Sequence, residues 1–461
     1  MSGRGRAAPA GLVASGLLLA AAAAVIAVVA VQFLSMYEPD TVVIRSEVTR
    51  QALLSDYHSP LADTMGDTEV YFLEGSEPGG TALLLGGVHP NEPAGMLAAV
   101  LALENSTVQA GRLIIIPFGN SSAYTHNTAG HGSPQGFTLE TPWGERHFRY
   151  GDRLTNPIHQ YPDPEVHIHH PSGSLGSGQE ARNLNRNFPG RANGTLTEQI
   201  AFAIQQIIHE EDVDVMLDMH EARPMNPIVN AVVAHEDAAD IAAIAVIDLE
   251  FLDDIGMRLE ITPQLFQGVS QRELGDHTDV LAVLSETPNI AMDFVHAQIN
   301  EELVLRGRDE YLLRATSRPG LVYVDYDHEY GMPIEDRVGR HLATFTRLLD
   351  AYNEHRDAGL NPDEAAGRAA GERLRPILLT AFTTITGLLP MAIGLTVDFA
   401  GRDAYFGAPS SQFWVQLSST VVGGLLIGTV ITSCLTPTLL AWDGRRREAG
   451  RLRKRGNPSL A

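Results

Sequence analysis

The chain has 461 residues, 56 acidic against 33 basic, a formal net charge of -23 and a single cysteine, Cys434. That acid excess argues against nucleic acid as a partner, because phosphate binding needs basic patches. One cysteine excludes an internal disulfide and a thiolate cluster, so any metal must be held by His, Asp or Glu.

Gly11 to Leu34 is an uncharged stretch rich in Ala, Val and Leu, preceded by Arg4 and Arg6. It is long enough to span a bilayer and too long for an ordinary signal-peptide core, so it reads as an uncleaved anchor. A mixed α/β pattern follows. The apolar run Ala82-Leu83-Leu84-Leu85 reads as a buried strand, ending in Gly86-Gly87-Val88-His89-Pro90-Asn91-Glu92-Pro93, a loop that opens a helix. Leu113 to Pro117 and Val213 to Met219 read as further strands. Glu198 to Glu210 reads as an amphipathic helix with Ile200, Ala203, Ile204, Ile207 and Ile208 on one face. Strands alternating with helices predict an α/β fold: a mixed, mostly parallel sheet with helices on both faces. Such sheets bind ligands beyond the carboxyl ends of their strands. The stretch from about Asn120 to Gly190, dense in Gly, Pro, His and Asn, reads as the wall and floor of a pocket.

His89 and Glu92 stand three residues apart on one turn, a spacing that lets an imidazole and a carboxylate share one zinc ion. A third ligand must then come from elsewhere. His220 ends the apolar run of Val215-Met216-Leu217-Asp218-Met219-His220-Glu221. Asn185-Arg186 sets an amide beside a guanidinium, a pairing that suits a carboxylate. Arg153 is a candidate electrophile for a scissile carbonyl. Glu286, after the run Val280 to Leu284, is placed to take a proton from metal-bound water. Each signal is weak alone, since a lone strand-end His or loop carboxylate is more often structural. His167, His169 and His170 offer a second metal site or, as preferred, a polar loop lining the pocket. Glu221 reads as a hydrogen-bond partner of a metal ligand or as a solvent-facing carboxylate. The sequon Asn105-Ser106-Thr107 reads as accidental.

In this order the pieces resemble the zinc carboxypeptidase superfamily, and more closely its succinylglutamate desuccinylase and aspartoacylase branch, over about Val42 to Leu349. The resemblance implies one zinc ion on His89, Glu92 and His220, with Glu286 as general base. It implies that Arg153 polarises the carbonyl and that Asn185 and Arg186 grip a substrate carboxylate. Arg182, in Glu180-Ala181-Arg182-Asn183, competes with Arg153 for the clamp role, because the gap from Arg153 to Asn185 is longer than the family's usual spacing.

Two more uncharged apolar runs of spanning length lie at Ile377 to Val397 and Phe413 to Leu440. With Glu372 to Pro390 and Gly423 to Thr438, this part resembles the last two transmembrane helices of resistance-nodulation-division transporters, over about Asn361 to Trp442. Two helices cannot make such a transporter, and the charged residues of its proton pathway are absent from both runs. The pair is therefore either a reused membrane platform or the product of a fusion. The expected order is a tail and anchor at 1–40, a catalytic domain at 41–354, a linker at 355–375, a two-helix membrane segment at 376–442 and a basic tail at 443–461. Arg4 and Arg6, and the tail from Arg445 to Arg455, each ask to lie in the cytoplasm. Three spans cannot place both there. A prokaryotic inner or cytoplasmic membrane is the expected location, with the extracytoplasmic side favoured for the acidic domain.

The leading expectation is a membrane-anchored zinc hydrolase cleaving an amide bond of a small N-acylated or carboxylate-bearing substrate, with that substrate and membrane lipid as partners. A zinc exopeptidase acting on peptides or cell-wall fragments is the second reading. A non-catalytic zinc-binding membrane module is the third, and Glu286 is the residue that tells against it.

Overall fold

The computed structural model describes residues 10–45, 47–128, 132–293, 295–357, 381–398, 403–406, 414–429 and 431. The chain forms two compact units, 1–352 and 353–461. The first unit opens with helix α1 (Ala10–Ser35), of which Val13–Ser35 is apolar and long enough to cross a membrane. Strand β1 (Arg50–Leu53), the short helix α2 (Leu54–Tyr57), β2 (Glu69–Glu74) and β3 (Glu77–Leu85) follow. Next come α3 (Pro93–Asn105), β4 (Ala110–Ile116) and two hairpins: β5 (Gly136–Thr141) with β6 (Gly144–Arg149), and β7 (Val166–Ile168) with β8 (Leu175–Ser177). The remainder is α4 (Leu196–Glu210), β9 (Val215–Ala222), β10 (Ala231–Ala234), α5 (Ala239–Leu252), β11 (Arg258–Ile261), α6 (Ser270–His277), β12 (Leu281–Pro288), α7 (Glu301–Arg306), α8 (Glu310–Thr316) and α9 (Ile334–Asp357).

Eight strands form one sheet in the order β1-β2-β4-β3-β9-β12-β10-β11. The four central strands, β4-β3-β9-β12, are mutually parallel, and β1, β2 and β10 join through antiparallel pairs. The expected mixed, mostly parallel sheet is therefore present. Both of its faces are buried. Ala82 and Leu84 of β3 and Leu113 and Ile115 of β4 join one apolar core with residues of α3, α5 and α9. Leu83, Leu85, Ile114 and Ile116 point the other way, into a second core with α4. This two-sided burial explains why the strands read as continuous apolar runs rather than alternating ones. The predicted face of α4 is fully buried, and Thr195 with Glu198 closes a capping box at its start.

The pleat also sorts the polar residues. On β9, Asp218 and His220 share a side with Met216, which packs in the α4 core. On β12, Glu286 has the parity of Ala282 on that same side, while Ser285 and Thr287 face α9 and bond His341 at 2.7 and 3.1 Å. Helix α3 rests directly on β9: a Cβ at Gly95 would collide with the Met219 carbonyl.

In the second unit the two expected spans are shorter among the described residues. The apolar helices there are Ala381–Ala392 and Trp414–Thr429, below spanning length. The first stops because the chain turns into a hairpin, Leu395–Asp398 paired with Asp403–Phe406. The rest of both runs, the linker beyond residue 357 and the basic tail at 443–461 lie outside the described residues.

Replacing Gly95 by Ala forces α3 off β9. The substitution is expected to cost about 1–3 kcal/mol, as overpacking does, read by denaturant unfolding of the detergent-solubilised chain. Unchanged stability would show that the close approach is slack.

Candidate metal centre

Three elements deliver the site to the carboxyl end of the sheet. The chain leaves β3 through Gly87, whose φ of +65° suits glycine. Glu92 caps α3 from the position before Pro93, where a proline loses no hydrogen bond and the helix dipole favours a carboxylate. His220 lies near the end of β9, and β12 sets Glu286 directly opposite it in parallel register.

The structure brings His89, Glu92 and His220 together. All three are buried, and one ligand atom from each lies within 4.8 Å of the others. His89 Nδ1 is 2.8 Å from Glu92 Oε1, His220 Nδ1 is 2.8 Å from Glu92 Oε2, and the two Nδ1 atoms are 3.1 Å apart.

The far side of each ring fixes which nitrogen faces inward. His89 Nε2 meets Asn183 Oδ1 at 2.8 Å. That oxygen also accepts the Asn185 N–H, and the Asn183 amide NH₂ goes to Glu180, so Nε2 must carry the proton. His220 Nε2 meets the Asp218 carboxylate at 2.9 Å, which also takes the Ser270 hydroxyl at 2.5 Å. His89 Nδ1 therefore presents a lone pair, whereas Asp218 and Glu92, outweighing burial, hold the His220 imidazole well above its usual range, so that its protonated ring bridges the two carboxylates. Two imidazoles and a carboxylate brought this close form a donor set that a single metal ion fits once it displaces that proton.

The surrounding charges agree. Burial would raise the Glu92 carboxyl, but His89 and His220 outweigh it and hold it well below the usual range. Burial pushes the His89 imidazole down to about 4, with the Arg153 charge adding to it. Burial pushes the Glu286 carboxyl up to about 8, opposed by His220 and reinforced by Glu92. Its Oε2 is buried and has no hydrogen-bond partner.

The arginines divide. Arg153 donates to Glu92 Oε1 at 3.1 Å and so sits on the cluster. Arg182 does not: it forms a two-pronged ion pair with Asp163 at 2.7 and 3.0 Å and holds the Thr155 carbonyl at 2.8 Å. Of the two competitors, only Arg153 touches the proposed ligands. Asn185 spends its Oδ1 on the Ser270 N–H at 2.8 Å, and Arg186 donates to the Asn185 carbonyl at 2.6 Å. Burial lowers Arg186, and the nearby Arg153 charge lowers it further. His167 and His169 are buried against the backbone carbonyls of Arg186 and Phe188, at 3.3 and 2.6 Å, as the lining reading expects. Among the described residues the His89–Glu92–His220 group is the one metal cluster found.

Sequence reasoning missed four participants. Asn183 and Asp218 orient the two imidazoles. Arg223, lowered by burial and by Arg153, adds a third positive charge near Glu92. Arg337 of α9 forms a buried pair with Glu221 at 2.6 Å, and Glu221 also accepts from the Ala94 N–H and from Asn289. Asp218 was visible two residues before His220, on the same face of a strand. Asn183 and Arg337 left no local signal, because only the folded chain brings them near.

Comparison with known proteins falls into two segments. Residues 78–275 match the family model described as the succinylglutamate desuccinylase/aspartoacylase catalytic domain, and residues 346–442 match that of the AcrB/AcrD/AcrF family. Both resemblances read from the sequence thus hold, each over its own segment. A nickel and cobalt resistance protein of Cupriavidus metallidurans is 36% identical over 104 residues, 23% of this chain and 9% of that protein. A swarming motility protein of Bacillus subtilis is 38% identical over 90 residues, 20% of this chain and 8% of that protein. The chain therefore spans less than a tenth of these curated relatives. Among solved structures, a succinylglutamate desuccinylase/aspartoacylase from Rhodobacter sphaeroides aligns with TM-score 0.34 and 16% identity, covering 61% of this chain and 58% of that one. A metallo-carboxypeptidase from Burkholderia cenocepacia aligns with TM-score 0.38 and 11% identity, covering 70% and 67%.

Removing an orienting partner, by Asn183→Ala or Asp218→Ala, is expected to weaken metal binding by ~10–100-fold, measured by competition with a chelator. Unaltered affinity would mean that the rings need no outer support.

Proposed function

We propose that the first unit is a zinc-dependent hydrolase that cleaves an amide bond in a small N-acylated or carboxylate-bearing substrate. The observation that carries this reading is the convergence of three buried groups, His89, Glu92 and His220, beside a carboxylate with an unpartnered buried oxygen, Glu286 Oε2. The match of residues 78–275 to a catalytic-domain family of this reaction type supports it.

Zinc, when bound, supplies a Lewis acid and a water of lowered pKa. The remaining work falls to the chain. Glu286 takes the proton of the attacking water at Oε2 and later returns it to the leaving amine. Its raised affinity for a proton suits both halves of that duty. Arg153 polarises the scissile carbonyl and steadies the negative charge that develops on its oxygen, usually the largest catalytic contribution. Arg153 and Arg186 are like charges close enough to disfavour one another. Their mutual repulsion is relieved by an anionic ligand, which supports a substrate carboxylate gripped by Arg186 and Asn185. Helix α1 would hold the unit at a membrane. Transport is not assigned to the second unit, whose curated relatives are matched over a small share of their length.

The test uses the full chain purified in detergent, its zinc content, and a panel of N-acetyl and N-succinyl amino acids. His89→Ala is expected to lose both metal and hydrolysis. Glu286→Gln is expected to keep the metal while kcat falls by ~10²–10⁴-fold, the usual range for a lost general base. Full activity in either variant contradicts the reading.

A further inference from the structure

The rim of the candidate site carries an exposed apolar surface that the proposed hydrolysis does not use. Strand β7 is amphipathic in an inverted sense. Its buried residue, His167, bonds the Arg186 carbonyl, while Val166 and Ile168 face outward. Ile168 pairs across the hairpin with Leu175, and the two are 62% and 73% exposed. In the loop before this hairpin, Ile158 and Tyr161 are 80% and 84% exposed. The turn after β11 adds Leu265, 93% exposed, and Phe266, whose ring lies 5.7 Å from the Arg186 guanidinium. The two segments meet where the Phe188 N–H donates to the Gly268 carbonyl at 3.2 Å. Between Pro157 and Ser177 the only fixed charges are Asp163 and Glu165, and Asp163 is engaged by Arg182. Single exposed apolar residues need no explanation, but a cluster around a cleft does.

The exit of α1 indicates what covers this cluster. The helix ends at Ser35, and its apolar stretch has no burial within the chain. The next residues are stitched to the body: the Met36 carbonyl accepts from Arg149 at 3.2 Å, and Asp40 pairs with Arg149 at 2.7 Å. Tyr37 packs edge-on against His159, with ring centroids 6.2 Å apart, in the loop that presents Ile158 and Tyr161. Two residues of chain reach at most ~7 Å. The point where α1 leaves its apolar surroundings is therefore held beside the rim.

We propose that the rim formed by Ile158, Tyr161, Ile168, Leu175, Leu265 and Phe266 rests on the surface of the lipid bilayer that α1 enters. Tyrosine and phenylalanine beside aliphatic side chains suit the headgroup boundary, where one end of a ring is apolar and the other wet. A second copy of the chain could bury the same residues, but it would leave unexplained their attachment to the exit of α1.

The test needs no turnover, so it stands or fails separately from the hydrolase reading. In a Cys434→Ser background, Ile168→Cys, Leu175→Cys and Leu265→Cys each carry an environment-sensitive fluorophore. Leu252→Cys, exposed at the end of α5 that precedes β11, is the control. The labelled full chains are reconstituted in phosphatidylcholine vesicles containing lipid with a quencher near the headgroup. Quenching at the three rim positions is expected to exceed that at position 252 at least threefold. Adding Ile158→Glu and Tyr161→Glu to the chain labelled at position 265 should bring its quenching down to the control level, with zinc content and circular dichroism checking that the fold persists. Rim quenching equal to the control overturns the proposal. So does rim shielding that grows with protein concentration in detergent and ignores the quencher lipid, which would identify a second copy as the occupant.

Discussion

Four carboxylates crowd the carboxyl end of the central strands, and the need to compensate them organises what surrounds them. Burying a carboxylate is costly unless a cation or several donors meet it. Glu221 is met by Arg337, Asn289 and the Ala94 amide of α3. Asp218 is met by Ser270 and the far side of His220. Glu92 is met by Arg153, by the Glu221 N–H and by the inward nitrogens of two imidazoles. Glu286 keeps one oxygen unmet. Glu221 is a closed structural solution, whereas Asp218 also keeps a buried oxygen, Oδ1, without a partner. Glu92 lies with two imidazoles at one point, with Glu286 directly opposite His220, and that convergence is the strongest physical argument for a metal and for hydrolytic chemistry there.

Much of this was legible in the sequence because the relevant signals are local. Ala82 to Leu85 reads as a strand buried on both faces, and the turn after it carries His89 and Glu92 at a ligand spacing. His220 and Glu286 stand out as polar residues that end apolar runs. Both strands nevertheless extend further than their apolar runs, β9 to Ala222 and β12 to Pro288. The polar residues just before their ends, Glu221 and Thr287, are held by Arg337 and His341 of α9. What stayed illegible depends on long-range contact. Arg153 and Arg182 look equivalent as letters; only the fold reveals that Asp163 takes Arg182 and leaves Arg153 on Glu92. Asn183 and Arg337 are ordinary residues in the sequence and acquire their roles from neighbours 94 and 116 positions away.

The stretch from Asn120 to Gly190 reads from composition as a loop lining a pocket. Its described residues form two hairpins and short helical turns. The histidines of β7 and β8's neighbouring turn pack inward on backbone carbonyls, while the branched aliphatic residues face out. That inversion links the catalytic reading to the apolar N-terminal helix, since Tyr37 and His159 join the helix exit to the same stretch.

Anomalous X-ray diffraction at the zinc edge, from crystals of the full chain grown with zinc, tests the central claim most directly. The account predicts one strong peak among His89 Nδ1, Glu92 and His220 Nδ1, at ~2.0–2.2 Å from its nitrogen and oxygen ligands. No peak at that point, or a peak held by other residues while these three keep their direct hydrogen bonds, would contradict it.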